Sequence, residues 1–261
     1  MLHTAFYKFT ALPQPDEVAV VLRELVGAPD AGLTGSVLLA TEGINGMLAG
    51  TPAAIDRIEQ VLQHDPAFDG AFTGMVFKRS ACSTPPFGKL KVYVKKEIVP
   101  LGIEGVDGRN TGIDVAPRDW RTLIKDPDVV LLDNRNSFEY RLGRFEGAID
   151  PGVTNFRDFP AYVRAHAAEW KAQGKRVAMY CTGGILNYFQ QMPDADLDWQ
   201  GECFVFDNRV ALDTHLQETA TTLDDVYGDD DAWRLARARR LAQAARAPAG
   251  GPGNDSGTDA D

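Results

Sequence analysis

Cysteine and histidine are both scarce in this chain. Three cysteines, Cys82, Cys181 and Cys203, stand far apart with no C-x-x-C pair, which excludes a disulfide framework and the usual zinc spacings and leaves three expected free thiols. The histidines His3, His64, His166 and His215 are too scattered for a two-His-one-carboxylate iron site, and no flavin or nicotinamide fingerprint is found, so neither a metal nor a bound cofactor is expected. Long apolar runs are missing too. No stretch reaches the length that spans a bilayer, and the N-terminus, Met1-Leu2-His3-Thr4, has no basic region ahead of an apolar one, so a cytoplasmic protein with no membrane partner is expected. Positive charge is in deficit: the formal net charge is -10 and the pI about 4.9. A general nucleic-acid binder is thereby excluded, because such binding rests on neutralising phosphates, and an RNA partner would have to meet a local basic patch.

What is present suffices for one or two cores, with 44% of the 261 residues hydrophobic and 25% charged. His3 to Phe9 reads as a strand, and Pro15-Asp16-Glu17 opens a helix to about Val26 with acids in its first turn. Gly35 to Ala40 is an apolar strand, Glu42-Gly43-Ile44-Asn45-Gly46 turns the chain into another through Ala49, and Thr51 caps a helix from Pro52 to Gln63. Phe72 to Lys78 and Lys89 to Val99 are two more strands around Pro85-Pro86. The order β-α-β-β-α-β plus one strand predicts a ferredoxin-like sandwich over residues 1–104, its helices on one face of a mostly antiparallel sheet.

In the last of those strands Leu90, Val92 and Val94 alternate with Lys89, Lys91, Tyr93 and Lys95. With Lys78, Arg79 and Lys96, the stretch from Ala71 to Lys96 carries six basic residues and no acid. Lysines around an aromatic ring suit single-stranded RNA, phosphates on the ammonium groups and a base on the ring, so Lys78, Arg79, Lys89, Lys91, Tyr93 and Lys95 are candidate RNA contacts. An edge strand protected from aggregation by its lysines is the alternative.

Gly102 to Gly112 is glycine-rich around Gly105-Val106-Asp107-Gly108 and reads as a linker. Helices and strands then alternate: a helix from Asp114 to Ile124, a strand from Val129 to Leu132, Ser137 capping a helix from Phe138 to Leu142, a brief strand at Gly147-Ala148-Ile149, a helix from Phe159 to Gln173 and a strand from Val177 to Tyr180. Alternation implies a parallel sheet with function at the strands' carboxyl ends, where Asp133 and Cys181 both fall. Two glycines follow the cysteine in Cys181-Thr182-Gly183-Gly184-Ile185. A loop that tight can turn its N–H groups into an anion-binding nest that favours a thiolate. Cys181 is then the candidate catalytic residue, with Thr182, Gly183, Gly184 and Ile185 as its cradle, and a small buried thiol at a strand end is the plainer alternative. Cys203 is expected to be such a buried thiol. Asp224-Asp225 and Asp229-Asp230-Asp231 precede a helix from Ala232 to Ala245 that reads as solvated, and the composition of Ala247 to Asp261 predicts disorder.

Asp133-Asn134-Arg135, Glu139-Tyr140 and Gly143-Arg144-Phe145-Glu146-Gly147-Ala148-Ile149 look like the rhodanese signature, with Arg144 and Phe145 where His and Ile are usual. Glu42-Gly43-Ile44-Asn45-Gly46, Lys89-Leu90-Lys91-Val92, the Cys181 segment and Gly201 to Val210 narrow the likeness. Together, over roughly residues 1 to 230, they resemble the rhodanese-domain tRNA uridine(34) hydroxylases, whose N-terminal domain is acylphosphatase-like. The resemblance implies a rhodanese-like parallel-sheet α/β domain over 105–215 and a C-terminal helix and tail over 216–261. It further implies oxygen-dependent hydroxylation of the wobble uridine of tRNA to 5-hydroxyuridine, with molecular oxygen as co-substrate and tRNA as partner. The family's persulfide-type cysteine maps onto Cys181, and Asp133 and Arg135 take supporting roles.

After its cysteine the chain departs from that family. Relatives continue Cys-Thr-Gly-Gly-Ile-Arg-Cys, then carry a helix, a strand and a second Gly-Gly-Ile before a Leu-x-Tyr helix, whereas here Gly183-Gly184-Ile185 runs directly into Leu186-Asn187-Tyr188-Phe189. The cradle arginine, the second loop cysteine, the helix whose N-terminus would face the anion and a strand beside Val177 to Tyr180 are therefore expected to be missing. A damaged sheet should result, or Asn187 to Met192 rearranged to cover it. Two other functions stay open: a sulfurtransferase with a persulfide on Cys181, and a tRNA-binding family member with impaired chemistry. A Cys-x5-Arg phosphatase is disfavoured, because neither position 186 nor 187 is arginine.

Overall fold

The computed structural model of the chain describes residues 1–28, 31–103, 105–110, 112–228 and 231–246, with side chains through 240. Glu104 and Thr111 of the predicted linker, Asp229 and Asp230, and the predicted disordered tail from 247 lie outside the described residues.

The first half runs β1 (Leu2–Phe9), α1 (Pro15–Gly27), β2 (Thr34–Ala40), β3 (Gly43–Gly50), α2 (Pro52–His64), β4 (Phe77–Ala81) and β5 (Leu90–Val94). Its sheet order is β4-β1-β3-β2-β5, antiparallel throughout except between β2 and β5, which is the expected ferredoxin-like sandwich with a fifth strand added at one edge. Phe6, Val37, Leu39, Ile44 and Leu48 point to one face and pack on Leu22, Val26, Ile55 and Leu62 of the two helices. Thr51 caps α2 as predicted, its Oγ1 accepting from the Ala54 N–H at 3.2 Å. β4 starts later than predicted because Phe72, fully buried, serves the core from a turn beside Phe68. An apolar residue there signals burial, not a strand.

Register decides what the uncovered face carries. Lys78, Ala5, Met47, Ser36 and Lys91 form one row across all five strands, and Tyr7, Asn45, Leu38 and Tyr93 occupy another on the same face. Arg79, one residue on, points to the helix side, where Glu59 and Asp56 of α2 hold it in an ion-pair cluster.

The second half comprises α3 (Pro117–Leu123), β6 (Val129–Asp133), α4 (Ser137–Leu142), β7 (Gly143–Phe145), α5 (Phe159–Ala172), β8 (Arg176–Tyr180), α6 (Thr182–Gln191), β9 (Trp199–Gly201), β10 (Cys203–Phe204), β11 (Ala211–Leu212), α7 (Leu223–Val226) and α8 (Ala232–Arg246). β6 and β8 pair in parallel, Asp133 opposite Tyr180. The brief strand expected at Gly147-Ala148-Ile149 is reduced to a single bridge between Ile149 and Leu132, and β7 forms instead, antiparallel to β9. Asn136, not Ser137, is the N-cap of α4, since the Ser137 hydroxyl donates to Asp150 at 2.9 Å.

The strand expected to be missing beside β8 leaves an open edge. Among the described residues β8 pairs with β6 alone, and Val177 and Met179 are 40% and 49% exposed. Asn187 to Met192 do not cover that edge. They lie in and just after α6, whose Tyr188 and Phe189 pack with Ala178, Tyr180 and Trp199 on the opposite face of the strand.

Two buried ion pairs organise this half. Arg135 donates from Nε to Asp133 Oδ1 at 2.9 Å and from Nη2 to Asp133 Oδ2 at 2.5 Å and to the Gly143 carbonyl at 2.6 Å. Its guanidinium lies 5.6 Å from the Tyr180 ring and 5.4 Å from the Trp199 ring, so one side chain ties β6, β7, β8 and β9 together. The other pair, Asp207 and Arg209, docks on the first half: Arg209 Nη1 donates to Ser80 Oγ at 2.7 Å, and His3 Nε2 lies 3.8 Å from Asp207. His3 is buried there, and burial first, the Arg209 charge second, pushes its pKa down from 6.5 to about 4.

Arg135→Met is expected to cost about 3–5 kcal/mol, because it strands the Asp133 carboxylate in the core. A loss below about 1 kcal/mol in urea unfolding would show that the clamp is dispensable. Folding holds His3 neutral, so its contribution to stability is complete above 6.5 and is lost as the pH falls toward 4, to an extent of about 3 kcal/mol. Urea titrations at about pH 7 and about pH 4.5 should show the wild type losing more stability than His3→Phe. Equal losses would assign the acid sensitivity to other groups.

Candidate active site around Cys181

Cys181 lies at the carboxyl end of β8 with its side chain exposed, while Cys82 and Cys203 are buried. Burial pushes the Cys203 thiol up to about 12, as befits an inert core sulfur. Behind Cys181 there is no loop. The residue is the N-cap of α6, and the Ile185 N–H donates to its carbonyl at 3.1 Å. The expectation of a tight glycine bend without a helix is therefore overturned. Ile185, Leu186, Tyr188 and Phe189 recur at helical spacing and are all buried, and that burial outweighs the poor helix propensity of two glycines, about 1 kcal/mol each.

The cradle is thus a helix start. Thr182, Gly183 and Gly184 form its first turn, whose N–H groups have no carbonyl partner within the helix, an end that attracts negative charge. Ile185 points away into the core at 0% exposure. Asp133 and Arg135 stand beside this turn in the fold but face inward as the buried clamp, and neither opens toward the thiol. Glu139, one of the rhodanese-like signature residues but not a predicted site residue, supports the turn instead. Its Oε1 accepts from the Thr182 hydroxyl at 3.3 Å and its Oε2 from the Asn136 N–H at 3.2 Å, and burial raises its carboxyl above the usual range.

The opposite wall comes from the first half. A Cβ placed on Gly183 would lie 3.6 Å from Tyr7 Cε1, 3.8 Å from Cys181 Sγ and 3.9 Å from Lys78 Cε. The Lys78 ammonium sits 4.7 Å from the centroid of the Tyr7 ring. Of the predicted basic cluster, Lys78 alone reaches the thiol. Arg79 is held on the other face, and Lys89, Lys91, Tyr93 and Lys95 occupy the far edge, four strand spacings or about 19 Å away. There Lys91 and Lys95 lie 5.6 Å and 5.5 Å from the Tyr93 ring. Lys89, Lys91 and Tyr93 line one side of a cleft of about 1130 Å³ that Trp233 and Arg237 of α8 line from the other. α8 is therefore docked, not simply solvated, with Arg234 over the rings of Trp233 and Phe138 at 4.5 Å and 5.2 Å. Tyr7 was not a sequence candidate. The alternation of β1 marks it as facing away from the core, but only the packing of the halves brings it to Cys181.

Comparison with known proteins bears on the whole chain. The UPF0176 acylphosphatase-like domain matches residues 1–98, the span of the five-stranded sheet. A tRNA uridine(34) hydroxylase of Nitrobacter winogradskyi is 43% identical over 254 residues, covering 87% of this chain and 98% of the relative. That of Bradyrhizobium diazoefficiens is 43% identical over 241 residues, covering 82% and 92%, and that of Jannaschia sp. 41% identical over 238 residues, covering 82% and 76%. In the first match 254 aligned positions face only 87% of 261 residues, so part of the relative has no counterpart here. No helix among the described residues is long and apolar enough to cross a membrane. With 41–43% identity over 76–98% of these relatives' lengths, this chain belongs to the tRNA uridine(34) hydroxylase family.

Proposed function

We propose that the chain hydroxylates the wobble uridine of tRNA to 5-hydroxyuridine, with Cys181 as nucleophile and molecular oxygen as co-substrate. The observation that carries this reading is the exposed thiol at the start of α6, facing the lysine-bearing side of the N-terminal sheet in a chain 43% identical to a hydroxylase of that name. Attack of the thiolate at C6 of uracil forms a C–S bond and moves the electron pair to C5, which becomes nucleophilic. Oxygen, with two further electrons from a reductant, delivers one oxygen atom to C5 and leaves the other as water. Loss of the C5 proton and return of the pair to the sulfur then restore the ring and free Cys181. Phosphates of the RNA would lie on Lys89 and Lys91 and a neighbouring base on Tyr93.

Cys181→Ser should abolish wobble hydroxylation, measured by nucleoside mass spectrometry in cells lacking the native enzyme. Retained product would remove the cysteine from the chemistry, and thiocyanate formed from cyanide and a sulfur donor such as thiosulfate, with hydroxylation untouched by the substitution, would favour sulfur transfer. Gly183→Ala makes a finer test. Its methyl would meet Tyr7, Lys78 and the thiol at ordinary contact distance, so stability should hold or rise by up to about 1 kcal/mol, while activity falls about tenfold or more because a methyl group crowds the approach to the thiol. Lys91→Glu should weaken tRNA binding and lessen the slope of log affinity against log salt by about 0.7 or more. An unchanged slope would take Lys91 off the RNA path.

A further inference from the structure

Resting on the reading of Cys181 as the reactive thiol, we propose that Tyr7 and Lys78 of the N-terminal sheet form the base-recognition wall of that site. The Tyr7 ring stacks the pyrimidine presented to the thiol, and the Lys78 ammonium donates to its O4. The Cys181 segment carries no cation of its own, position 186 being a buried leucine, and Lys78 supplies one from the other half of the chain.

Three observations converge on this wall. First, Tyr7 Cε1, Cys181 Sγ and Lys78 Cε all lie within 4 Å of a single point, the place of the absent Gly183 side chain. Three separated segments, β1, β4 and the start of α6, thus converge on one point beside the thiol. Second, Tyr7 is 43% exposed although it stands at this junction. The ammonium lies over one ring face at 4.7 Å, and its flexible stem lets an entering base take that face and meet the displaced ammonium at its edge, stacking on an exposed aromatic ring being the ordinary way a protein holds an unpaired base. Third, Lys78 is half-buried and makes no ion pair among the described residues. Burial lowers its pKa, with the charges of Cys181 and Asp114 opposing that shift, so it is a desolvated donor whose N–H groups have room for an acceptor.

A phosphate would use the lysine and leave the ring idle, whereas a purine or pyrimidine without an acceptor near the ammonium would use only the ring. A base with a carbonyl at one edge uses both. Uracil carries a carbonyl at C4 where cytosine carries an amino group, so an ammonium aimed at that position accepts the first and repels the second. The wall therefore provides stacking and a uridine-over-cytidine choice together, beside the sulfur that attacks the ring.

The test is equilibrium binding of the full chain to anticodon stem-loop RNAs that carry uridine, cytidine or an abasic site at the wobble position. Wild type and Cys181→Ser should both prefer uridine over each of the others. Tyr7→Leu, which keeps apolar bulk but no flat face, should lose about tenfold of the preference over the abasic RNA, while Tyr7→Phe keeps it. Lys78→Met should lose the preference over cytidine by about tenfold, and Lys78→Arg should retain most of it. Thermal unfolding midpoints of all six proteins confirm that they are folded. Unchanged preferences in Tyr7→Leu and Lys78→Met, or no uridine preference in wild type, would overturn the proposal. Failure of the hydroxylase reading shows separately, as product retained by Cys181→Ser.

Discussion

Asp207 and Arg209 form an ion pair with no solvent exposure on either side chain, and the position of everything around Cys181 relative to the N-terminal sheet depends on it. Burying two charges costs several kcal/mol per ion unless their hydrogen bonds are met. Here Arg209 donates to Asp207 at 2.9 Å and 2.6 Å and to the Ser80 hydroxyl at 2.7 Å. The last contact crosses from one half of the chain to the other. Because hydrogen bonds of charged groups are directional and costly to leave unmade, one seating of the halves satisfies the set, and sliding the second half over the sheet would strand a guanidinium.

That seating explains why the site is built from both halves. The open face of the sheet is polar, with lysines at both edges, and the second half covers only part of it. At the β4 edge it brings the thiol to Lys78 and Tyr7. Toward β5 it leaves a cleft lined by Lys89, Lys91 and Tyr93 on one side and α8 on the other. A chain with a formal charge of -10 thus places lysines at both edges of this open face, Lys78 on β4 and Lys91 on β5.

The second half tolerates a sheet of only two parallel strands because other contacts replace the missing neighbour on one face. Phe145 packs edge-to-face on Tyr180, Tyr188 and Trp199 at 4.9 to 5.1 Å between ring centres, and Arg135 sits among the same rings. α6, entered directly from Cys181, completes that layer. The shortened segment thereby keeps a helix N-terminus at the cysteine. What it does not restore, among the described residues, is a strand on the outer edge of β8, and on the face shared with Val130 and Leu132 the side chains of Val177 and Met179 remain exposed.

Alternation of apolar and polar residues determined much of this protein before any folding: the ferredoxin-like order, the lysine-bearing strand, Asp133 and Cys181 at strand ends, and the family likeness all rest on local pattern, whose periods of 2 and 3.6 are fixed by backbone geometry. Local pattern misjudged the glycines after Cys181, because two poor helix formers in a row look like a loop until the burial of Ile185, Tyr188 and Phe189 is counted. It also treated Lys78 and Arg79 alike, although strand register turns adjacent residues to opposite faces and gives one to the thiol and the other to Glu59. Only the tertiary structure decided that Tyr7 and Lys78 meet Cys181, since residues so distant in sequence are brought together by the docking of two halves through Asp207, Arg209 and Ser80, and no short-range preference of the chain encodes that contact.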